Sequence, residues 1–261
     1  NVANRYNSTT SKVIASIPID VERNNFVFYR AHSNISTEVV DAVVDILEMI
    51  IVDEKELRRY YQAEYEKAVA KAKEDARKQE KINERDNVIS KYGKIFHPDN
   101  LDNLTKEDFK NFCKFEHNRH WTNDRVSGWD SEKKGGTIEQ VRNGLKILLD
   151  ESKPLAERIN QIDDEQNMMP GIGPAVYTSI LYVVYPEKYP PVNRMVILAL
   201  DRLGKYSERD YDRKKKSESI PAIQEIVKQY AEEFKLNFWA TDWIWFYMIN
   251  GINDVDNVSP L

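Results

Sequence analysis

Residues 168–204 read MMPGIGPAVYTSILYVVYPEKYPPVNRMVILALDRLG, and the rest of the chain is best read outward from them. Gly171-Ile172-Gly173 predicts a tight turn. Pro174 follows where a helix would begin, and proline suits a first helical position because its missing N–H would have no partner there. Tyr177, Ile180, Leu181 and Val184 then fall at i, i+3, i+4 and i+7, which makes one apolar helix face. Residues 154–167 also read as helical. The expected unit is therefore helix, Gly-Ile-Gly hairpin, helix.

Such a unit has a chemical use. The second helix opens with unpaired N–H groups and the positive end of its dipole. Two glycines let the backbone approach a ligand closely. An anion such as a DNA phosphate fits there. The candidate phosphate-binding residues are Gly171, Gly173, Ala175 and Val176, with Lys133 and Lys134 placed to hold the strand. The same turn also serves in many proteins as a turn and nothing more.

Pro170 to Ala175 with its flanks resembles the helix-hairpin-helix of the endonuclease III superfamily of DNA glycosylases. That family continues into Val-Asp-x-x-Val and Arg-Leu-Gly, and this chain has Val192-Asn193-Arg194-Met195-Val196 and Arg202-Leu203-Gly204. The family's catalytic aspartate falls on Asn193, and the lysine of its bifunctional members falls on Ala175. The resemblance thus implies a kept scaffold and a lost reaction, since an amide does not act as a base as a carboxylate does.

A second resemblance covers about residues 105–246. Its marks are Asn118-Arg119-His120-Trp121, Leu148-Leu149-Asp150-Glu151, Arg158, Gly171-Ile172-Gly173, Tyr185-Pro186-Glu187-Lys188-Tyr189, Asn193 and Asp242-Trp243. Their order and spacing are similar to those of N-terminal modules that precede McrB-type AAA+ GTPases of modification-dependent restriction systems. The resemblance implies DNA as a partner and an ATPase or GTPase module in a longer protein or complex.

Composition bounds these readings. Lys and Arg total 38 against 43 Asp and Glu, so the formal charge is −5. Bulk electrostatics therefore opposes nonspecific nucleic-acid binding, and any DNA site must be a local basic patch. Cys113 is the single cysteine, which excludes an internal disulfide and a cysteine metal cluster and suits a reducing cytoplasm. His117 and His120 lack a third nearby ligand, so no metal is expected. No apolar run approaches the ~20 residues of a membrane span. No Walker A, nucleotide-binding glycine unit or G-x-S-x-G occurs, and no cofactor is expected.

The predicted fold class is mainly α: a helical domain holding the helix-hairpin-helix, preceded by a small β-hairpin and a long charged helix. Residues 12–20 and 25–30 predict the two strands. Ser36 starts a helix with a valine-rich stripe. Residues 53–90 hold dense charge of both signs and no Pro or Gly. They predict one helix, read as a solvated arm or as a route to an oligomer. Tyr92-Gly93 is expected to stop it, which gives domains of 1–92 and 93–261. Thr105 predicts a capping-box start, residues 137–150 an amphipathic helix, and 220–236 and 238–249 two more. Trp239, Trp243, Phe246 and Tyr247 lie at helical spacing and read as core. Arg213-Lys214-Lys215-Lys216 reads as a solvated turn or a phosphate contact.

Residues 115–136 mix aromatics, amides and arginine, a composition suited to reading a base. Asn118, Arg119, Trp121 and Trp129 form the expected base-reading group, with Asn193 near them. Indole faces stack on bases, while amides and arginine read base edges. The alternative is a buried Trp121 whose polar neighbours only fix the loop. Three functions follow: a non-catalytic DNA target-recognition module that reads a modified or flipped base, a monofunctional glycosylase using Glu116, Asp124 or Asp130, or a protein-interaction module.

Overall fold

The computed structural model describes strands at 19–20 and 25–26 and residues 54–114, 117–118, 136–164 and 169–252. Its contacts divide the chain into Asn1–Gln62 and Ala63–Leu261, not near Gly93 as the sequence suggests. In the first unit β1 (Ile19–Asp20) and β2 (Asn25–Phe26) pair antiparallel, with Ile19 opposite Phe26. The remainder of the expected strands and the helix from Ser36 lie outside the described residues.

The expected single charged helix is two. α1 (Glu54–Asp75) begins in the first unit and ends in the second, and α2 (Gln79–Ile95) follows after a break at 76–78. No Pro or Gly causes the break. Asp75 is 4% exposed and accepts from the Tyr247 hydroxyl at 2.5 Å, while the Lys78 ammonium sits 2.6 Å away. Desolvation pushes the Asp75 carboxyl up, but the hydrogen bonds from Lys78, Tyr247 and Lys71 outweigh it and hold it below the usual range. This cluster ties the end of α1 to the core and lets α2 leave in a new direction. The arm is not solvated on every side. Ala68 and Ala72 are buried, as are Val88 and Tyr92. Ala68 and Ala72, small apolar residues in a charged helix, are here close-packing residues.

α2 runs through Gly93 to Ile95, so that glycine does not stop it. A 3-10 turn (Pro98–Asn103) leads to α3 (Lys106–Phe112), which opens on the expected Thr105 capping box, closed by Asp108. Thr137 and Gln140 form a second capping box on α4 (Ile138–Leu148). Then come α5 (Leu155–Ile162), α6 (Pro174–Val184), α7 (Arg194–Arg202) and α8 (Glu208–Arg213). α9 (Lys216–Phe234) and α10 (Phe238–Asn250) complete the described helices. α9 starts four residues earlier than periodicity suggests, which puts Lys216 in its first turn and Pro221 inside it.

α9 packs on α5 and α10, α7 on α10, α4 on α5, and α2 on α6. The core is centred on Trp245, Tyr182, Tyr247, Leu145 and Ile180. Trp239, Trp243 and Tyr247 of the expected aromatic stripe are buried, and Phe246 is half-buried. Every residue of α6 from Val176 to Val183 is buried, whereas Val184 is half-buried. A helix that is apolar on all sides belongs in a core, so the expected one-sided face is too narrow.

Gly93 explains how α2 reaches α6. A Cβ at this position would stand 2.6 Å from the Val183 carbonyl oxygen, a backbone atom that cannot swing aside. At Gly144 the obstacle is the flexible Met169 side chain instead. Gly93→Ala is therefore expected to destabilise the protein by about 2 kcal/mol, because overpacking outweighs the gain of roughly 1 kcal/mol in helix propensity. Gly144→Ala should lose less. Urea unfolding midpoints of the two variants check this, and equal stability of Gly93→Ala and the parent would refute the close approach.

Candidate functional site

The turn sits between α5 and α6. Ile172 N–H donates to the Met169 carbonyl at 3.0 Å, and Gly171 has φ 75°, a left-handed conformation that glycine takes without strain. Gly173 is the N-cap of α6, and Pro174 fills the first helical position as expected. The Gly173 carbonyl accepts from Val176 N–H at 3.0 Å and from Tyr177 N–H at 3.2 Å. Val176 is buried and its N–H is thereby used, so within the expected phosphate-binding set it is not a donor to an outside ligand. Gly173 and Ala175 N–H have no backbone acceptor among the described residues. Gly171 and Gly173 are exposed, Ala175 is half-buried, and a Cβ on Gly173 would meet nothing within 4 Å. The cap is thus an open cradle at the positive end of a helix.

The two flanking helices do not serve as partners to each other in the main packing. α5 lies against α9 and α4, and α6 lies against α2. Residues 165–168, between the end of α5 and the turn, are outside the described residues, and with them the full path of the hairpin.

Asn193 is the N-cap of α7. Its Oδ1 accepts from Val196 N–H at 3.1 Å, and its Nδ2 donates to the Asp242 carboxylate at 3.1 Å. Asp242 projects from α10 and is 6% exposed. Both ends of the Asn193 amide are therefore engaged inside the protein rather than held out to read a base. A carboxylate thus stands beside Asn193 on another helix. A lone Asp in the run Phe238-Trp239-Ala240-Thr241-Asp242-Trp243 was the available signal, since a carboxylate in an apolar helix needs a buried partner.

Asn118 is 0% exposed, and its Nδ2 donates to the Phe112 carbonyl at 3.1 Å. It pins the chain just after α3. Arg119, Trp121, Trp129, Lys133 and Lys134 lie outside the described residues, as do Glu116, Asp124 and Asp130. Of the base-reading group, the structure thus brings Asn193 to Asp242 and Asn118 to Phe112, and Arg119, Trp121 and Trp129 lie outside the described residues.

Several marks of the longer resemblance form one network that runs from the buried Arg158 to the exposed Lys188. Arg158, 1% exposed, donates to the Leu148 carbonyl and to the Tyr189 hydroxyl, each at 2.6 Å. Tyr189 donates on to Glu151 at 2.5 Å, and Lys188 reaches the same carboxylate at 2.8 Å. Desolvation pushes the Glu151 carboxyl up, but hydrogen bonds from Lys188 and Tyr189 hold it below the usual range. The Tyr185 hydroxyl donates to the Leu149 carbonyl at 3.1 Å. This network joins the end of α4 to the segment that leads into α7.

Beyond the turn lies an open groove of about 440 Å3 that sequence reading missed as a groove. Asn160, Asp163 and Asp164 line one side, and Lys214, Lys215 and Lys216 the other. Only the charge run was legible in sequence. Among the described residues no group of three or more His, Cys, Asp or Glu is placed to hold a metal, and no helix is long and apolar enough to cross a membrane. Comparison with family models, curated proteins and solved structures finds no match.

The Asn193 geometry makes a checkable statement. Asn193→Asp would set a second carboxylate against Asp242, and two carboxylates in one site cannot both ionise without strong repulsion. The variant is expected to lose about 1–3 kcal/mol at pH 7. One carboxyl of the pair then has a raised folded pKa, so the loss shrinks as pH falls through it and is least below the unfolded value of about 4. Urea midpoints at neutral and acid pH check this, and a variant as stable as the parent at pH 7 would show that the pair is not in contact.

Proposed function

We propose that this chain is a DNA-binding target-recognition module without glycosylase chemistry of its own, engaging backbone phosphate through the Gly171-Ile172-Gly173 turn. The observation that carries the reading is the exposed cap of α6: Gly173 and Ala175 present N–H groups without a described backbone acceptor, and nothing crowds the position where a ligand would sit. The engaged amide of Asn193, where the glycosylase resemblance has its aspartate, supports a binding role over a catalytic one. The resemblance to McrB-type N-terminal modules supports modified DNA as the target and an ATPase or GTPase module as the partner. Base reading then falls to residues 119–135, with Arg119, Trp121 and Trp129 as the specificity group.

One observation favours a second reading. The Asp242 carboxylate, 3.1 Å from Asn193 Nδ2, is an acid close to where a monofunctional glycosylase would need one. Abasic product from damaged-base duplexes, lost in Asp242→Asn, would select that reading.

Gly173→Asp tests the phosphate cradle. Its φ of −102° suits any residue, and aspartate caps helices somewhat better than glycine, so stability should hold or rise by a few tenths of a kcal/mol. DNA affinity should fall at least tenfold, for all sequences alike, because the carboxylate occupies the phosphate position and phosphate contacts do not specify. Anisotropy titrations with unmodified, methylated and hydroxymethylated duplexes measure both affinity and preference. Unchanged affinity would remove the turn from the interface.

A further inference from the structure

In a chain of net charge −5, residues 205–216 carry six Lys and Arg against the three acids Glu208, Asp210 and Asp212. Glu208 is held by an ion pair to Arg194, and Asp210 pairs with Lys214 at 3.3 Å. The Lys214–Asp210 pair is exposed on both sides, and such pairs hold weakly in solvent. Lys215 is exposed and has no ion pair among the described residues. Lys216 has a fixed place instead: its ammonium lies 3.6 Å from the Tyr211 ring centroid and donates to the Tyr211 carbonyl. The lysines are thus arranged with one packed as a wall and two at the rim of the groove.

Tyr177 lies in the first helical residues of α6, is 2% exposed, and its hydroxyl has no hydrogen-bond partner among the described residues. Asp163 of the groove and Tyr211 beneath Lys216 both lie within its electrostatic reach. Asp163 is the C-cap of α5 and Gly173 the N-cap of α6, so the acidic side of the groove and the open helix cap lie ten residues apart along the chain.

We propose that the groove is a second phosphate-holding site of the same DNA interface, in which Lys214 and Lys215 take backbone phosphates besides the one at the Gly171-Ile172-Gly173 turn, and Asp163 and Asp164 limit its affinity. This rests on the DNA-binding reading and extends it to a second contact. Exposed lysines that neutralise backbone phosphates hold a strand without regard to its sequence. The two acids opposite them repel a polyanion, which keeps a purely electrostatic contact weak and leaves discrimination to other residues. The groove also supplies the local basic patch that the acidic chain as a whole lacks.

The test is the salt dependence of binding of the full chain to a short fluorescein-labelled unmodified duplex, from about 50 to about 200 mM NaCl. Each lost phosphate contact lowers the slope of log K against log salt by about 0.9. Lys215→Ala should lower it by about 0.9, and Lys214→Ala with Lys215→Ala by about 1.8, with the melting temperature unchanged because both side chains are exposed. Asp163→Asn should tighten binding about threefold at the lower salt. An unchanged slope in the double variant, with Gly173→Asp still weakening binding, overturns the groove and leaves the turn standing. No salt-dependent binding by the parent chain overturns the DNA-binding reading and this one with it. Lys215→Ala alone settles the matter if the double variant does not fold.

Discussion

The Arg158 guanidinium is the interaction on which the arrangement of the helical unit depends. A buried charge is tolerated only when its partners replace water, and here a carbonyl at the end of α4, a tyrosine hydroxyl and a nearby carboxylate do so at the two terminal nitrogens of the guanidinium. Removing one partner would leave the charge uncompensated. The network therefore fixes where the chain runs after Tyr189. Gln224 continues this by donating to the Pro190 carbonyl at 2.7 Å, and Val192 N–H donates to the Thr178 hydroxyl at 2.9 Å. By the time the chain reaches Asn193 its position is set by bonds to α4, α5, α6 and α9. The residues that carry the longer resemblance are largely this scaffold, not a row of ligand contacts.

The same logic separates structure from function at the turn. The half-buried Asn193 and the buried Asp242 satisfy each other, and such a pair has little freedom to meet a substrate without being broken. Gly173 and Ala175 are in the opposite condition: accessible, at a positive helix end, and uncrowded. A functional surface is better sought where polar groups lack protein partners than where they have them. The proposed interface accordingly takes in the cap of α6 and the lysine groove.

Sequence reasoning failed where one residue type serves two roles. Ala68 and Ala72 lie among charges and count little toward an apolar stripe, yet they are buried because small side chains allow close packing. Gly93 looks like a helix stop and is a helix contact, because only the partner's carbonyl reveals why a Cβ is excluded. Asn118 has the chemistry of a base-edge reader and spends it on the Phe112 carbonyl. Periodicity sees the chain's own face and not what comes to cover it.

What the sequence by itself determined is the helical class, the Thr105 and Thr137 helix starts, the proline-led start of α6 and the aromatic content of α10. Each rests on residues within a few positions of one another, where backbone geometry and capping act locally. What only the tertiary structure decided are the break at Asp75, the contact of Gly93 with Val183, the pairing of Asn193 with Asp242 and the groove that opposes Asp163 to Lys214, Lys215 and Lys216. Those partners lie far apart in the chain, and their meeting is set by burial and charge compensation in the packed unit rather than by any local spacing.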